Sequence, residues 1–174
     1  VLQAGLSTMV KKSNDSHNEW IQKAREANGK KVLTAPYSTY VYSKSARYPQ
    51  WFISLYRSFT NQYGRGVGVI ETAKQCKSIF KSIISYEKKN HGNAASVYVF
   101  NESGDLIYPY DITADDTNDI SKYYKLTDSD QDTLTIQSPV TDQKEYVSRL
   151  NSAYTGYTYL TIQPESVILA PAYK

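Results

Sequence analysis

The sequence predicts an α+β protein in which helices flank antiparallel sheets. Two segments open with a capping box and continue with apolar residues at helical spacing, whereas most other apolar residues alternate along short runs that end at Gly, Pro or Asn. Of the 174 residues, 40% are hydrophobic and 13% aromatic, which is enough to bury the core of one ordinary domain or of two small ones.

Each of the two helices is predicted from a capping box at its N-terminus. Ser16 with Glu19 opens the first helix, which ends at Asn28–Gly29, and Thr72 with Gln75 opens the second. The apolar face of the second helix consists of Cys76, Ile79, Phe80, Ile83 and Ile84. Because an amphipathic helix buries such a face, we expect each helix to pack on a sheet.

Strand patterns follow each helix. In the first half the alternating runs are Val32–Leu33, Tyr40–Tyr42, Trp51–Phe59 and Val67–Ile70. They predict three strands and a tyrosine-rich loop around residues 37–48. The second half begins with a predicted hairpin of Val97–Phe100 and Leu106–Tyr108. A polar segment between strands, Asp111–Asp132, follows and is predicted to contain a short helix near Asp116–Tyr124. Three strands come next (Leu134–Ile136, Glu145–Leu150 and Tyr157–Ile162), and a last helix is predicted to begin at Pro164. This order is that of a PAS-like module.

Composition excludes several classes of protein. The net charge is only +3 and no basic stripe is present, so no nucleic-acid partner is expected. The single cysteine, Cys76, excludes an internal disulfide and a cysteine-based zinc site. No run approaches the roughly 20 apolar residues that cross a bilayer, so any membrane anchor is expected outside this sequence.

Three segments resemble the Cache superfamily of extracytoplasmic sensors, in particular the double-Cache regions of YesM-like bacterial sensor histidine kinases. Trp51–Phe59 followed by Gly66–Glu71 is similar to the last two strands of a membrane-distal module. Ser96–Tyr108 is similar to the opening hairpin of a membrane-proximal module, and Ser152–Leu160 to its closing strand, with Tyr157 where the family commonly has Trp. The resemblance covers nearly the whole chain.

The resemblance implies tandem PAS-like modules and a sensory function. It places a membrane-distal module, expected to be truncated, at residues 1–72, a connecting helix at 73–92 and a membrane-proximal module at 93–174. It also implies that the chain is the extracellular or periplasmic part of a bacterial membrane protein, held in the cell membrane by flanking spans. This part would bind a small solute such as a sugar, an amino acid or an organic acid. Binding would then be signalled across the membrane to a kinase.

Candidate ligand-binding residues fall in both modules. In the distal module they are Tyr37, Tyr40, Tyr42, Tyr48, Trp51 and Arg57, and in the proximal module Tyr108, Tyr110, Asp111, Arg149 and Tyr157. Aromatic rings could enclose an organic solute, and an arginine could hold a carboxylate through two hydrogen bonds. Each has a structural alternative: strand aromatics pack sheets, arginines line solvated faces, and loop aspartates cap turns.

No catalytic, metal or cofactor site is predicted. His17 and His91 lack partners at metal-ligand spacing, Cys76 lies on an apolar helix face, and Ser54 and Ser58 read as ordinary strand serines. We therefore expect a non-catalytic segment. The main alternative is a module that binds a protein partner or its own copy as a homodimer; an exported hydrolase is a remote third.

Overall fold

The structure is a computed structural model that describes residues 15–40, 48–89, 95–126 and 131–169. The chain divides into two compact units, residues 1–79 and 80–174. Within the described ranges, no helix is long and apolar enough to cross a membrane. The candidate residue Tyr42 and the histidine His91 lie outside the described residues.

The first unit is built around one long central strand. Its elements are α1 (Asp15–Glu26), β1 (Val32–Leu33), β2 (Tyr37–Thr39), β3 (Gln50–Thr60), β4 (Gly66–Gln75) and α2 (Cys76–Ile79). All pairings are antiparallel: β1 and β2 lie along one edge of β3, and β4 lies along the other. The Trp20 ring stacks on that of Tyr56 at 6.4 Å, so α1 covers the face of the sheet that carries Tyr56.

Successive side chains of β3 point to opposite faces of this sheet. The face under α1, here called the α1 face, carries Phe52, Ser54, Tyr56 and Ser58, all of them buried. The opposite face carries Trp51, Ile53, Leu55, Arg57 and Phe59, of which only Ile53 is buried. The alternation of side chains along this strand therefore separates a buried face, which includes two serines, from a more exposed face.

Two local predictions in this unit are wrong. The second helix does not begin at Thr72, because β4 continues to Gln75 and pairs in register with β3 as far as Phe52. Eleven residues of β3 offer a ladder of backbone partners, and this long-range pairing overrides the local capping signal. Tyr37, predicted at the start of a tyrosine-rich loop, instead lies in β2 and pairs with Phe52 of β3.

The second unit has the PAS-like order predicted from the sequence. Its elements are α3 (Lys81–Lys89), β5 (Ser96–Phe100), β6 (Leu106–Tyr108), α4 (Ala114–Leu126), β7 (Thr133–Gln137), β8 (Lys144–Asn151), β9 (Thr158–Pro164) and α5 (Glu165–Leu169). The five strands described here form one antiparallel sheet in the order β6-β5-β9-β8-β7. The connecting helix predicted from residue 73 is thus represented by α2 and α3, which are interrupted at Phe80.

The core of the second unit lies between the sheet and α4. Phe100, Tyr123, Val147, Leu160 and Ile162 form one buried cluster. Register places Val147 opposite Ile162, so their side chains share this face, and α4 contributes Tyr123 from above. The polar excursion between strands is therefore the segment that covers one face of the sheet.

Candidate functional site

A buried serine on the α1 face of the first unit joins two polar side chains. The Ser54 hydroxyl is 2.8 Å from Glu71 Oε1 and 2.7 Å from the Tyr37 hydroxyl. A carboxylate only accepts, so Ser54 donates to Glu71 and accepts from Tyr37. We call Tyr37, Ser54 and Glu71 the Ser54 cluster.

Strand pairing brings the members of this cluster together. Glu71 of β4 is opposite Tyr56, and Tyr37 of β2 is opposite Phe52. Since Phe52, Ser54 and Tyr56 all lie on the α1 face of β3, the three cluster side chains lie on that face as well. Their residues come from three different strands.

The backbone around Ser54 is held as well. The Ser54 amide donates to Thr34 Oγ1 at 3.0 Å, and the Thr34 amide donates to the Ser54 carbonyl at 2.9 Å. Ser54 is fully buried and Thr34 almost so, whereas Tyr37 and Glu71 are half-buried. A fixed hydroxyl thus orients a carboxylate and a phenol that both reach toward solvent.

This arrangement suits a ligand that carries N–H donors next to an apolar group. A carboxylate has about four lone-pair sites, so Glu71 can accept from an ammonium group while keeping its bond from Ser54. The half-buried Tyr37 ring, which packs 6.3 Å from the buried Phe52 ring, supplies an aromatic surface beside it.

The other predicted distal residues are spread over the unit. Tyr40 and Tyr48 are 57% and 74% exposed. Trp51 is half-buried on the opposite face, and Arg57, exposed on that same face, donates from Nε to the Gly29 carbonyl at 2.7 Å. Of the described members of this set, the structure therefore brings only Tyr37 into the Ser54 cluster.

In the second unit, Tyr108 and Tyr110 lie together. Their ring centroids are 6.0 Å apart, and both rings contact Phe80. The Tyr108 hydroxyl donates to Glu87 Oε2 at 2.6 Å, and Glu87 Oε1 accepts from the Val97 amide at 3.1 Å. Glu87 therefore fastens α3 to the β5–β6 hairpin.

The remaining proximal candidates lie elsewhere in that unit. Asp111 is exposed in the loop after Tyr110, and Tyr157 is buried just before β9. Arg149 is opposite Leu160, whose side chain belongs to the core under α4, so Arg149 lies on that face of the sheet. Tyr108 is opposite Val99. Because the next residue, Phe100, points into the core under α4, Val99 and Tyr108 lie on the other face. Arg149 and Tyr108 thus point to opposite faces of the sheet.

A buried carboxylate lies beneath α4 in the second unit. Glu145 Oε2 accepts from the Tyr123 hydroxyl at 2.8 Å, and the same hydroxyl is 2.9 Å from Ser138 Oγ. Burial raises the pKa of Tyr123, and the negative charge of Glu145 raises it further. Burial likewise raises the pKa values of Tyr98 and Tyr108.

These three tyrosines predict a loss of stability at alkaline pH. In the folded protein they keep their protons above the ordinary tyrosine pKa of 10.0, at which the unfolded chain releases them. Their contribution is therefore fully present below pH 10 and falls as the pH rises beyond it. Urea unfolding between about pH 8 and pH 11 should show this fall, and it should be shallower in a Tyr108→Phe, Tyr123→Phe double variant. Equal slopes in the two proteins would contradict the assignment.

Structural comparison gives these units a common fold with receptor domains. The ligand-binding domain of Mlp24 with asparagine matches 98% of this chain at 17% identity and a TM-score of 0.61. The extracellular domain of rpHK1S-Z16, a protein assigned as a histidine kinase, matches 94% at 15% identity and a TM-score of 0.62. The ligand-binding domain of the Pseudomonas fluorescens chemoreceptor CtaA with L-leucine matches 97% at 12% identity and a TM-score of 0.59.

The chain shares the fold of these ligand-binding and extracellular domains. It spans 65% of the Mlp24 domain and 66% of each of the other two. No family profile and no curated protein matches the sequence. The predicted α+β, Cache-like architecture is confirmed, with antiparallel sheets and flanking helices.

Two members of the Ser54 cluster were not among the predicted site residues of this Cache-like chain. Ser54 reads as an ordinary strand serine, and Glu71 lies beside the false capping box at Thr72. One signal was available: serines at positions 54 and 58 interrupt a strand whose other members on that face are aromatic. A buried hydroxyl needs a hydrogen-bond partner, so such a position predicts a polar neighbour.

The described residues contain no group of three or more His, Cys, Asp or Glu side chains arranged to hold a metal ion. The polar clusters of both units are built from tyrosine, serine and a single glutamate each. Their chemistry is that of hydrogen bonding.

Proposed function

We propose that this chain is the extracytoplasmic sensing region of a bacterial membrane receptor and that it binds a small solute with an ammonium group. The observation that carries the proposal is the match of nearly the whole chain to ligand-binding domains. The solutes in matched structures include asparagine, L-leucine, L-isoleucine and GABA, all of which carry an ammonium group.

The Ser54 cluster supports an amine or an amino acid over a sugar or a simple organic acid. Glu71 supplies negative charge on a half-buried wall, and its orientation is fixed by Ser54. Charge-assisted hydrogen bonds to an ammonium group are about twice as strong as neutral ones, and they strengthen where water is partly excluded.

A thermal-shift screen tests the proposal. A solute that binds only the folded state stabilises it by about 2.7 kcal/mol at 100 times its Kd, which is several degrees in melting temperature for a small domain. We expect an amino acid or GABA-like amine to raise the melting temperature and its N-acetyl derivative to leave it unchanged. If no amine, amino acid, sugar or carboxylate raises it, direct solute sensing is wrong.

We further propose that the parent protein is a sensor histidine kinase, anchored by spans on either side of this chain. Ligand binding would shift the population of two arrangements of the receptor and so change kinase activity. Reading the coding sequence around Val1 and Lys174 tests this. Two apolar spans and a kinase region after the second support it, whereas a secretion signal followed by an early stop refutes it.

A second candidate is a module that binds a protein partner or its own copy. Exposed tyrosines favour it: Tyr48, Tyr63 and Tyr154 are each more than 70% exposed, and tyrosine is enriched at interfaces. Light scattering separates the two functions. A concentration-dependent dimer that responds to no solute would support the interaction module.

A further inference from the structure

The first unit contains a recess that no residue of the Ser54 cluster lines. It has a volume of about 360 Å³ and lies where the turn after α1 meets the end of β3. Binding pockets for small molecules start at roughly 300 Å³, so this recess is the size of a single small solute.

One wall of the recess is the turn that follows α1, where two residues have left-handed backbone conformations. Asn28 and Gly29 have φ values of 47° and 81°, which turn the chain against β3 before β1 begins. The Gly29 amide donates to Ser58 Oγ at 2.9 Å, and Arg57 Nε donates to the Gly29 carbonyl at 2.7 Å. Two hydrogen bonds thus fix the wall of the recess and the direction of the arginine.

Arg57 supplies the only charge among the lining residues. Its guanidinium is held by Nε alone, and the described residues offer its terminal nitrogens no hydrogen-bond or ion-pair partner. Those nitrogens carry four N–H donors in a plane, a geometry that matches a carboxylate. The recess is therefore suited to an anion.

Apolar side chains lie next to this cation. Ile70 is directly opposite Arg57 in the β3–β4 ladder, so the two share a face, and Phe59 is two residues along on the same side. Ile70 is 57% and Phe59 44% exposed, and both line the recess. An apolar group would cover them while its carboxylate reaches Arg57.

The charged and apolar side chains that line the recess lie on the face opposite the Ser54 cluster, although Ser58 of the α1 face also lines the recess. Arg57, Phe59 and Ile70 belong to the face opposite α1, whereas Ser54 and Glu71 belong to the α1 face. The two sites also have opposite charge. An inference about the recess is therefore independent of the proposed amine site.

We propose that this recess binds a small monocarboxylate with a compact aromatic or branched apolar group. The carboxylate accepts hydrogen bonds from the terminal nitrogens of Arg57, and the apolar group lies over Phe59 and Ile70. At this ligand size and exposure, affinity on the order of 1 mM is expected.

Phenylacetate is the probe, titrated into the isotope-labelled chain and followed by NMR. We expect saturable shifts of the Gly29 and Ser58 amides, with phenylacetamide, which lacks the charge, and acetate, which lacks the ring, each binding about tenfold more weakly or worse. Arg57→Gln should weaken phenylacetate binding by about tenfold. Arg65→Gln, which changes an exposed arginine in the β3–β4 turn, should not.

Ile70→Gln provides a second test that does not touch the charge. Since Ile70 is exposed, the fold should survive, and the affinity for phenylacetate should fall while that for acetate stays the same. Absence of shifts at Gly29 and Ser58 would overturn the proposal. So would equal binding of phenylacetate and phenylacetamide, or unchanged binding by folded Arg57→Gln.

Discussion

Replacing Glu71 with glutamine is expected to weaken binding of an amine ligand by about 10- to 100-fold. Glutamine keeps an oxygen that can accept from Ser54, so the local geometry survives, but the negative charge that faces an ammonium group is lost. The loss corresponds to about 1.4–2.8 kcal/mol, the range of a charge-assisted hydrogen bond in a partly buried site. Calorimetric titration with the best amine from the thermal screen measures it.

Glu19→Gln is the matched control for this prediction. Glu19 lies in the same unit, is exposed on α1 and, among the described residues, forms its ion pair with Lys23 at the surface. Its replacement therefore changes the net charge equally without reaching the cluster. Its ligand affinity should equal that of the unmodified chain. If Glu71→Gln also bound the amine with unchanged affinity, the Ser54 cluster would not be the amine site.

Replacing Phe100 with alanine is expected to lower the free energy of unfolding by about 3–5 kcal/mol. Phe100 is fully buried at the centre of the core between the sheet and α4, where its ring lies 5.2 Å from that of Tyr124. Removing the ring leaves a cavity beneath α4 as well as losing apolar burial. This is a large part of the stability of an ordinary domain, and urea unfolding followed by circular dichroism measures it.

Leu150→Ala controls for the loss of a large apolar side chain from the same sheet. Leu150 is 67% exposed, so its replacement should change the free energy of unfolding by no more than about 0.5 kcal/mol. A similar small effect for Phe100→Ala would mean that α4 does not cover a packed core.

Local sequence patterns were sufficient to predict the order of elements in the second unit. The hairpin, the excursion helix and the last three strands each have a period and turn residues that agree with their tertiary setting. Positive φ at Gly104 and Gly156, for example, lies where Asn101–Gly104 and Thr155–Gly156 predicted turns. Local preference and final fold coincide in this unit, so pattern reading succeeds there.

The first unit shows where local patterns fail. Thr72 with Gln75 is a sound capping box in isolation, yet these residues pair with Leu55 and Phe52 in a long ladder. Tyr37 sits in a tyrosine-rich stretch without a strand signal, yet it pairs with Phe52. Both outcomes depend on residues about 15 to 23 positions away, which a local window does not include.

Only one residue of the Ser54 cluster, Tyr37, was among the predicted site residues, again because the cluster depends on strand pairing. Tyr37 was selected as an aromatic, but the value of Ser54 and Glu71 lies in their partners, and these come from neighbouring strands through register. Arg57 was predicted as a possible carboxylate contact from its chemistry alone. The recess that we propose as its site depends on the turn at Gly29, which the local pattern of β3 does not indicate.

The most direct test of the central claim is an NMR titration of the isotope-labelled chain with the amine that gives the largest thermal shift. If the chain senses that solute through the Ser54 cluster, the backbone amides of Thr34, Ser54 and Glu71 shift together and saturate at one Kd. If no amide shifts, or if the shifts are confined to residues 80–174, amine sensing by the first unit is contradicted.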